Sequence, residues 1–390
     1  MSSCRVVLTG CGFELPVGRT EAEVHAALRQ AHGPFVSASE DACIAVCPVP
    51  GFDLKQVTGR LKNARYLSRG QQLAVAAAKR AVENAGLHAA DMQQAGIFLG
   101  LGPNLEASPG TAKALWLLDY LPNTAVAVIA ELLDLHGENL TIMTACAAST
   151  QAIGQAMHAV ARGDLKVALA GGGDSRLSGP GLAAYAQAGV LSRTHTRPEQ
   201  ACRPFDVQRS GFAIGEGGAV LVLENLDHAR ARGATILGEV VGAASSLDGA
   251  SLTGPDPTGR AASRAVQACL HGLQAQHICV LAHGTGTALN DAMESLVIQR
   301  IGEQVAAVAA FKSWIGHLAA ACGAAELILG LLCARNGLFP PIAHLEQPCA
   351  PGLPFLQRPT ILHPDMLLVH SFGFGGQNAC LGVRPWSEKH

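Results

Sequence analysis

Apolar runs short enough for strands alternate with helix-spaced apolar stretches along most of this chain. Arg5–Thr9 reads as a first strand, and Thr20-Glu-Ala-Glu23 opens a helical pattern over 20–30 with a capping box. An Ala-rich helix is expected over 71–85, stopped by Gly86, followed by a buried strand over 95–100. Helix 125–135 then leads to strand 140–144, a helix from Ala147 to Arg162, and strand 165–170, which stops in Gly171-Gly-Gly-Asp174. Strand 217–224, a short helix over 226–232 and a strand beginning at Ile236 come next. The second part keeps the rhythm: helix 259–272, strand 278–282, helix 288–300, strand 306–311, helix 318–335 and strand 367–370. Such alternation predicts an α/β protein with parallel sheets covered by helices. Two similar runs suggest a duplicated unit with halves 1–232 and 233–390, although no residue-level repeat accompanies the rhythm.

Composition narrows the picture. At 390 residues, 49% hydrophobic and only 4% aromatic, the chain can bury large cores packed with Ala, Val and Leu. A formal net charge of −2 gives no global case for nucleic acid or an anionic membrane. The 12 cysteines are scattered and form no pair with metal-like spacing, so reduced, mostly buried thiols and a cytoplasmic location are expected. The apolar window Leu318–Ala334 contains Glu326 and two glycines and reads as a buried helix, not a membrane span. No cleavable signal pattern opens the chain. Gly10-Cys-Gly12 after the first strand hints at a dinucleotide fingerprint, but Leu15 stands where the third glycine belongs, so no nicotinamide site is expected. Between Asp53 and Glu83 the chain carries basic residues and no acid; Lys62, Arg65 and Arg69 are candidates for docking an acidic partner, against a plain solvated face.

Four clusters sit just beyond expected strand ends, where open α/β sheets place their sites. The first is Cys146, at a strand-to-helix turn whose helix terminus should lower the thiol pKa. The second is His283 in Ala-His-Gly-Thr-Gly-Thr287. The third spans Lys312-Ser-Trp-Ile-Gly-His317. The fourth is the glycine-rich Ser371-Phe-Gly-Phe-Gly-Gly-Gln-Asn378. A cysteine, two histidines and a lysine, all at strand ends, favour a catalytic site with the thiol as its candidate nucleophile.

With Arg203-Pro-Phe-Asp206, the run Arg209–Gly218 and Val-Leu-Thr-Gly-Cys-Gly12, these motifs resemble the β-ketoacyl-acyl-carrier-protein synthases, condensing enzymes of the thiolase fold. The resemblance covers nearly the whole chain. It implies two duplicated α/β halves in an α-β-α-β-α layering, and decarboxylative Claisen condensation of an acyl thioester with a malonyl thioester, in fatty-acid or polyketide synthesis. By the same resemblance Cys146 is the nucleophile, and backbone N–H groups of Cys146 and Phe374 form the oxyanion hole. His283 and His317 hold the enolate, and Lys312 with Glu326 forms a supporting charge pair whose role is otherwise simply structural. Thr285 and Thr287, and more weakly Thr253, meet the pantetheine, while Phe374 gates the site. The implied partners are an acyl carrier protein and a second subunit, identical or a chain-length-factor-like paralogue; no metal or other cofactor is implied.

His317 stands where initiating synthases carry Asn, which favours an elongating enzyme. Cys380 is outside the setting of the second thiolase cysteine and reads as structural. Gln377 replaces a frequent Thr, and the segment between Gly102 and Tyr120 is shorter than in typical members. A pocket-shaping, non-catalytic subunit is the competing reading; the intact cysteine speaks against it.

Overall fold

The computed structural model describes residues 4–106, 115–193 and 197–387. Residues 107–114 of the shortened 102–120 segment lie outside the described residues. The N-terminal half contributes β1 (Val6–Glu14), β2 (Gly96–Leu101), β3 (Asn139–Ile142), β4 (Val167–Ser175) and β5 (Ile214–Asn225). The C-terminal half contributes β6 (Gly238–Leu247), β7 (Ile278–Leu281), β8 (Val305–Ala309), β9 (Met366–Gly373) and β10 (Gln377–Pro385). Their spatial order is β3-β2-β4-β5-β1-β6-β10-β9-β7-β8. Outward from the central joint, the first half reads 1-5-4-2-3 and the second 6-10-9-7-8, the same order with five added.

Strand directions repeat too. β2 is parallel to β3 and β4, whereas β4–β5 and β5–β1 are antiparallel. β7 is likewise parallel to β8 and β9, with β9–β10 and β10–β6 antiparallel. The expectation of parallel sheets is therefore corrected to mixed ones. The strands that run against both neighbours are β5 and β10. The halves join where Val6–Leu8 of β1 pairs with Gly238–Val240 of β6.

Helices layer on these sheets. On the outer face of the first, α1 (Arg69–Ala85) lies against β1, β5 and β4 and packs beside α2 (Asn123–Leu133). Between the sheets run α3 (Ala148–Arg162), which touches strands of both halves, and a second central helix described below. A short α4 (Gly179–Gln187) follows β4, α5 (Arg260–Leu270) covers β6 and β10, and α6 (Ala288–Ile301) packs on α5. The second central helix, α7 (Cys322–Asn336), is buried from Cys322 to Ala334. With the turn before it, Ala319–Asn336 is long and apolar enough to cross a membrane, but its leucines are buried against protein; removing one costs about 2–5 kcal/mol in such cores.

Differences from the sequence reading have local causes. β1 runs on through Gly10-Cys-Gly12, where a turn seemed due, because α1 presses on it: a Cβ at Gly12 would lie 2.1 Å from the Ala77 carbonyl oxygen. The glycines there serve close helix–strand packing. β4 continues through Gly171–Gly173 to Ser175 for a related reason, with Gly173 against Ala74. β10 and α4 were not anticipated, since a glycine-rich turn masks the start of the first and small residues dilute the pattern of the second. The capping boxes at Thr20 and Ser68 are formed, the first on a helix that ends early at Ala27.

Candidate active site

Cys146 is the middle residue of a single 3-10 turn, Ala145–Ala147, between β3 and α3. Ala145 enters that turn at φ 48°, a conformation that strains a residue with a Cβ by roughly 1–2 kcal/mol. Cys146 on this turn lines the cavities described below. His283 follows β7 after Ala282. Lys312 opens a short helix, Lys312–Ile315, after β8, and His317 comes just beyond it. The Cys146 sulfur and one ring nitrogen each of His283 and His317 all lie within 4.8 Å of one another. The two imidazoles meet edge to face at 5.6 Å.

Hydrogen bonds fix the tautomers. Ala319 N–H donates to His317 Nδ1 at 3.0 Å, so the neutral ring carries its proton on Nε2. Lys312 Nζ donates to His283 Nδ1 at 3.2 Å, with the same consequence. Both rings thus present an N–H donor and no free lone pair, which suits oxygen-anion binding and not metal ligation. Burial, then Lys312, holds both imidazoles well below the usual histidine range. Lys312 is fully buried and bonded to Glu326 at 2.6 Å. Burial opposes the lysine's charge, but Glu326 outweighs it and the ammonium is retained; burial pushes Glu326 up to about 7 against the pull of Lys312.

Cys146 departs from expectation. Burial raises its thiol to about 11, although Lys312 and the backbone N–H groups of Phe374 and of Cys146 itself favour the thiolate. A helix terminus lowers a thiol pKa where water still reaches the sulfur; here desolvation is the larger effect. Those two N–H groups converge on the sulfur, where a carbonyl bonded to it would place its oxygen.

Two cavities meet at Cys146. One of about 410 Å³ is lined by His283, His317, Thr285, Thr287 and Thr253. The other, about 380 Å³, runs past Leu101, Met143 and Arg176. Phe374 and Tyr185 line both, with ring centroids 6.5 Å apart. Thr285 and Thr287 share a hydrogen bond of 2.9 Å, and Thr287 also caps α6, while Thr253 sits on an exposed loop.

The basic stretch divides. Arg69 is committed internally: its guanidinium bonds Glu216 at 2.7 Å and the carbonyls of Val49 and Phe52, so it drops out of the docking candidates. Lys79 and Arg80 pair with Glu83 and Glu14. Lys62 and Arg65 stay exposed, the latter over the Tyr66 ring. Several site residues escaped the sequence reading. Glu294 accepts the backbone N–H groups of His283 and Gly284 at 2.8 and 2.7 Å, and Asp291 accepts those of Phe205 and Gly286. Their spacing from Thr287 along α6, i+4 and i+7, was the available signal. Asp174, ending the glycine run, accepts Ala320 N–H at 3.2 Å. Arg176 and Tyr185 had no local signal.

The model of the β-ketoacyl synthase N-terminal domain matches residues 4–229, and that of the C-terminal domain matches 237–346. The chain belongs to the β-ketoacyl synthase family. Curated relatives include a 3-oxoacyl-[acyl-carrier-protein] synthase 2 from Synechocystis, 34% identical over 98% of both chains. Synthase 1 of Escherichia coli is 30% identical over 98% of this chain and all of that one. Among solved structures, a β-ketoacyl synthase from Burkholderia phymatum superposes with a TM-score of 0.91 at 29% identity, covering 98% of this chain and all of the other. The ishigamide ketosynthase/chain length factor gives 0.87 at 30%, covering 99% and 100%. The fold is thus the thiolase-like fold of this family, with two repeated halves around central helices.

Proposed function

We propose that this chain is an elongating β-ketoacyl-acyl-carrier-protein synthase that performs decarboxylative Claisen condensation. The convergence of the Cys146 sulfur with His283 and His317 at the junction of two cavities carries the reading. In the first half-reaction the sulfur attacks the carbonyl of an acyl thioester held on a carrier protein's phosphopantetheine. The carbonyl oxygen turns toward the N–H groups of Cys146 and Phe374, and the carrier thiol leaves with the proton the cysteine gives up. A malonyl thioester then enters with its carbonyl oxygen between the two imidazole N–H donors. Its C–C bond to the carboxylate breaks, CO2 departs, and the electron pair spreads onto that oxygen as an enolate. The enolate carbon attacks the acyl-cysteine carbonyl, and the Cys146 sulfur leaves as a thiolate and takes a proton from water.

Neutral N–H donors stabilise an enolate without handing it a proton too early. Lys312 keeps His283 in that form, and Glu326 keeps Lys312 charged. Thr285 and Thr287, with Thr253 across the same cavity, are placed for the pantetheine amides, and Phe374 with Tyr185 gates passage between cavities. The steps draw on these residues and the carried thioesters, with no metal or other cofactor. Lys62 and Arg65 are the remaining docking residues for an acidic carrier. Exposed Leu115, Trp116 and Leu117, with Leu140 and Met143 on and beside the terminal strand β3, support a dimer with a second copy or a related chain. We place the protein in the cytoplasm and divide it at 232/233.

Single-turnover transfer of labelled acyl groups from carrier to protein tests the reading. Label should bind the wild type and vanish in Cys146→Ala; persisting label overturns the nucleophile assignment. A subunit that only shaped a partner's pocket would condense nothing by itself, and the intact cysteine, histidines and lysine speak against that.

A further inference from the structure

The 380 Å³ cavity beside Cys146 is walled mainly by apolar groups such as Leu101, Leu105, Met143 and Phe374, yet a buried ion pair forms part of it. Arg176 Nε lies 2.9 Å from Asp174 Oδ1 in an ion pair, Nη2 donates to Oδ2 at 3.1 Å, and Nη1 donates to the Pro103 carbonyl at 2.6 Å. The two side chains are 8% and 6% exposed. A guanidinium has five N–H groups. Nη1 and Nη2 each donate one of these bonds and Nε lies in the ion pair, which among the described residues leaves one N–H on Nη1 and one on Nη2 for whatever fills the cavity.

Space for this arginine is prepared in the backbone. Gly102 lies outside the left-handed region, so no turn demands glycine there. A Cβ at that position would stand 1.8 Å from Nη2, and only its absence lets the guanidinium lie across the end of β2. A second polar group faces the same space. Tyr185 lines this cavity, and its hydroxyl has no hydrogen-bond partner among the described residues.

Resting on the synthase reading, we infer that this cavity takes an acyl chain carrying a neutral oxygen acceptor, a keto or hydroxyl group, and disfavours plain alkyl chains. A saturated chain filling the cavity would strip water from the two guanidinium N–H groups and the Tyr185 hydroxyl and return nothing. An oxygen on the chain replaces that water. Sites built around hydrogen bonds to a substrate reject the analogue lacking the polar group far more strongly than apolar sites reject a methylene. The acceptor should be uncharged, because Asp174 already balances Arg176. A second carboxylate would crowd one that burial already drives toward protonation.

The test compares transfer onto Cys146 from octanoyl-carrier and from its 3-, 5- and 7-oxo analogues, followed by intact-protein mass spectrometry. At least one oxo chain should acylate the wild type roughly tenfold or more faster than octanoyl in kcat/KM. In Arg176→Met that ratio should fall to about one, and in Tyr185→Phe it should fall severalfold. Should the lone Asp174 left by the first variant prevent folding, Asp174→Asn/Arg176→Met removes both charges, with the same ratio expected. Octanoyl outrunning every oxo chain, or an unchanged ratio in the folded variants, overturns the inference while leaving the synthase reading intact. No acylation from any carrier would overturn both.

Discussion

The two halves repeat a backbone and divide a chemistry. In each, the third strand leads to a 3-10 turn that opens a central helix: Ala145–Ala147 before α3, and Ala319–Ala321 before α7. Both turns begin with an alanine forced to positive φ, 48° at Ala145 and 46° at Ala319. The next residue is Cys146 in one half and Ala320 in the other. The N–H groups differ in use as well. Cys146 N–H faces the nucleophilic sulfur, whereas Ala319 N–H holds His317 and Ala320 N–H holds Asp174. After the second strand comes Gly102 in the first half, and Ala282 then His283 in the second. The duplicated frame therefore carries the nucleophile on the turn of one half, while the imidazole donors come from other positions of the second half.

The sharpest challenge to this division is to move the thiol. Cys146→Ala should lower acyl transfer by at least about a thousandfold, as loss of a covalent nucleophile does. Cys146→Ala/Ala320→Cys should stay inactive, because the equivalent turn faces Asp174; labelled acyl on the relocated thiol of that double variant would show the halves to be interchangeable.

The next largest effect concerns the buried charge pair. Lys312→Met leaves Glu326 without its counter-ion and frees the His283 tautomer. Stability should fall by about 3–5 kcal/mol in urea unfolding. Glu326→Gln/Lys312→Met should recover much of that stability but not the release of CO2 from malonyl-carrier. Full recovery of both would make the pair purely structural.

Acidity probes the second half against the first. Both buried imidazoles stay neutral in the folded chain, whereas the unfolded chain protonates them near pH 6.5. Their contribution is therefore whole above about pH 6.5 and is lost as pH falls, at up to about 1.4 kcal/mol per unit for each group. Between pH 6.5 and 5.5 the urea midpoint of the wild type should drop more than that of His283→Phe/His317→Phe. Equal drops would contradict neutral rings. On the other side, alkylation of Cys146 by iodoacetamide should accelerate about tenfold per unit on the way to about pH 11.

The smallest effects are expected on the first half's surface. Charge reversal at Lys62 and Arg65 should weaken carrier binding severalfold and more at low salt, measured by titration at two ionic strengths. Arg69→Ala should instead lower thermal stability, since Glu216 loses a bidentate partner. Salt-independent binding in the double reversal would leave that stretch as ordinary surface.

Much of this was legible from the chain. Cys146, His283, Lys312 and His317 each sit at the end of an apolar run, and strand-end residues are visible because the pattern changes there. The basic stretch misled at Arg69 because a charge and its distant partner, Glu216, share no local pattern. Arg176 and Tyr185 were invisible for a similar reason: an arginine after a glycine-rich strand looks like any surface arginine until Gly102 is seen to make room for it. The thiol pKa was misjudged because local position reveals the helix terminus but not the loss of water.

Local order along the polymer was enough to place strands, helices, caps and the reactive residue types, since backbone preference and apolar spacing act over a few neighbours. It could not decide which strands run antiparallel, which charges find partners, or how dry the sulfur is. Those depend on packing between segments far apart in the chain, and burial, which sets the direction of the pKa shifts of Cys146, His283 and His317, exists only once the two halves close around α3 and α7.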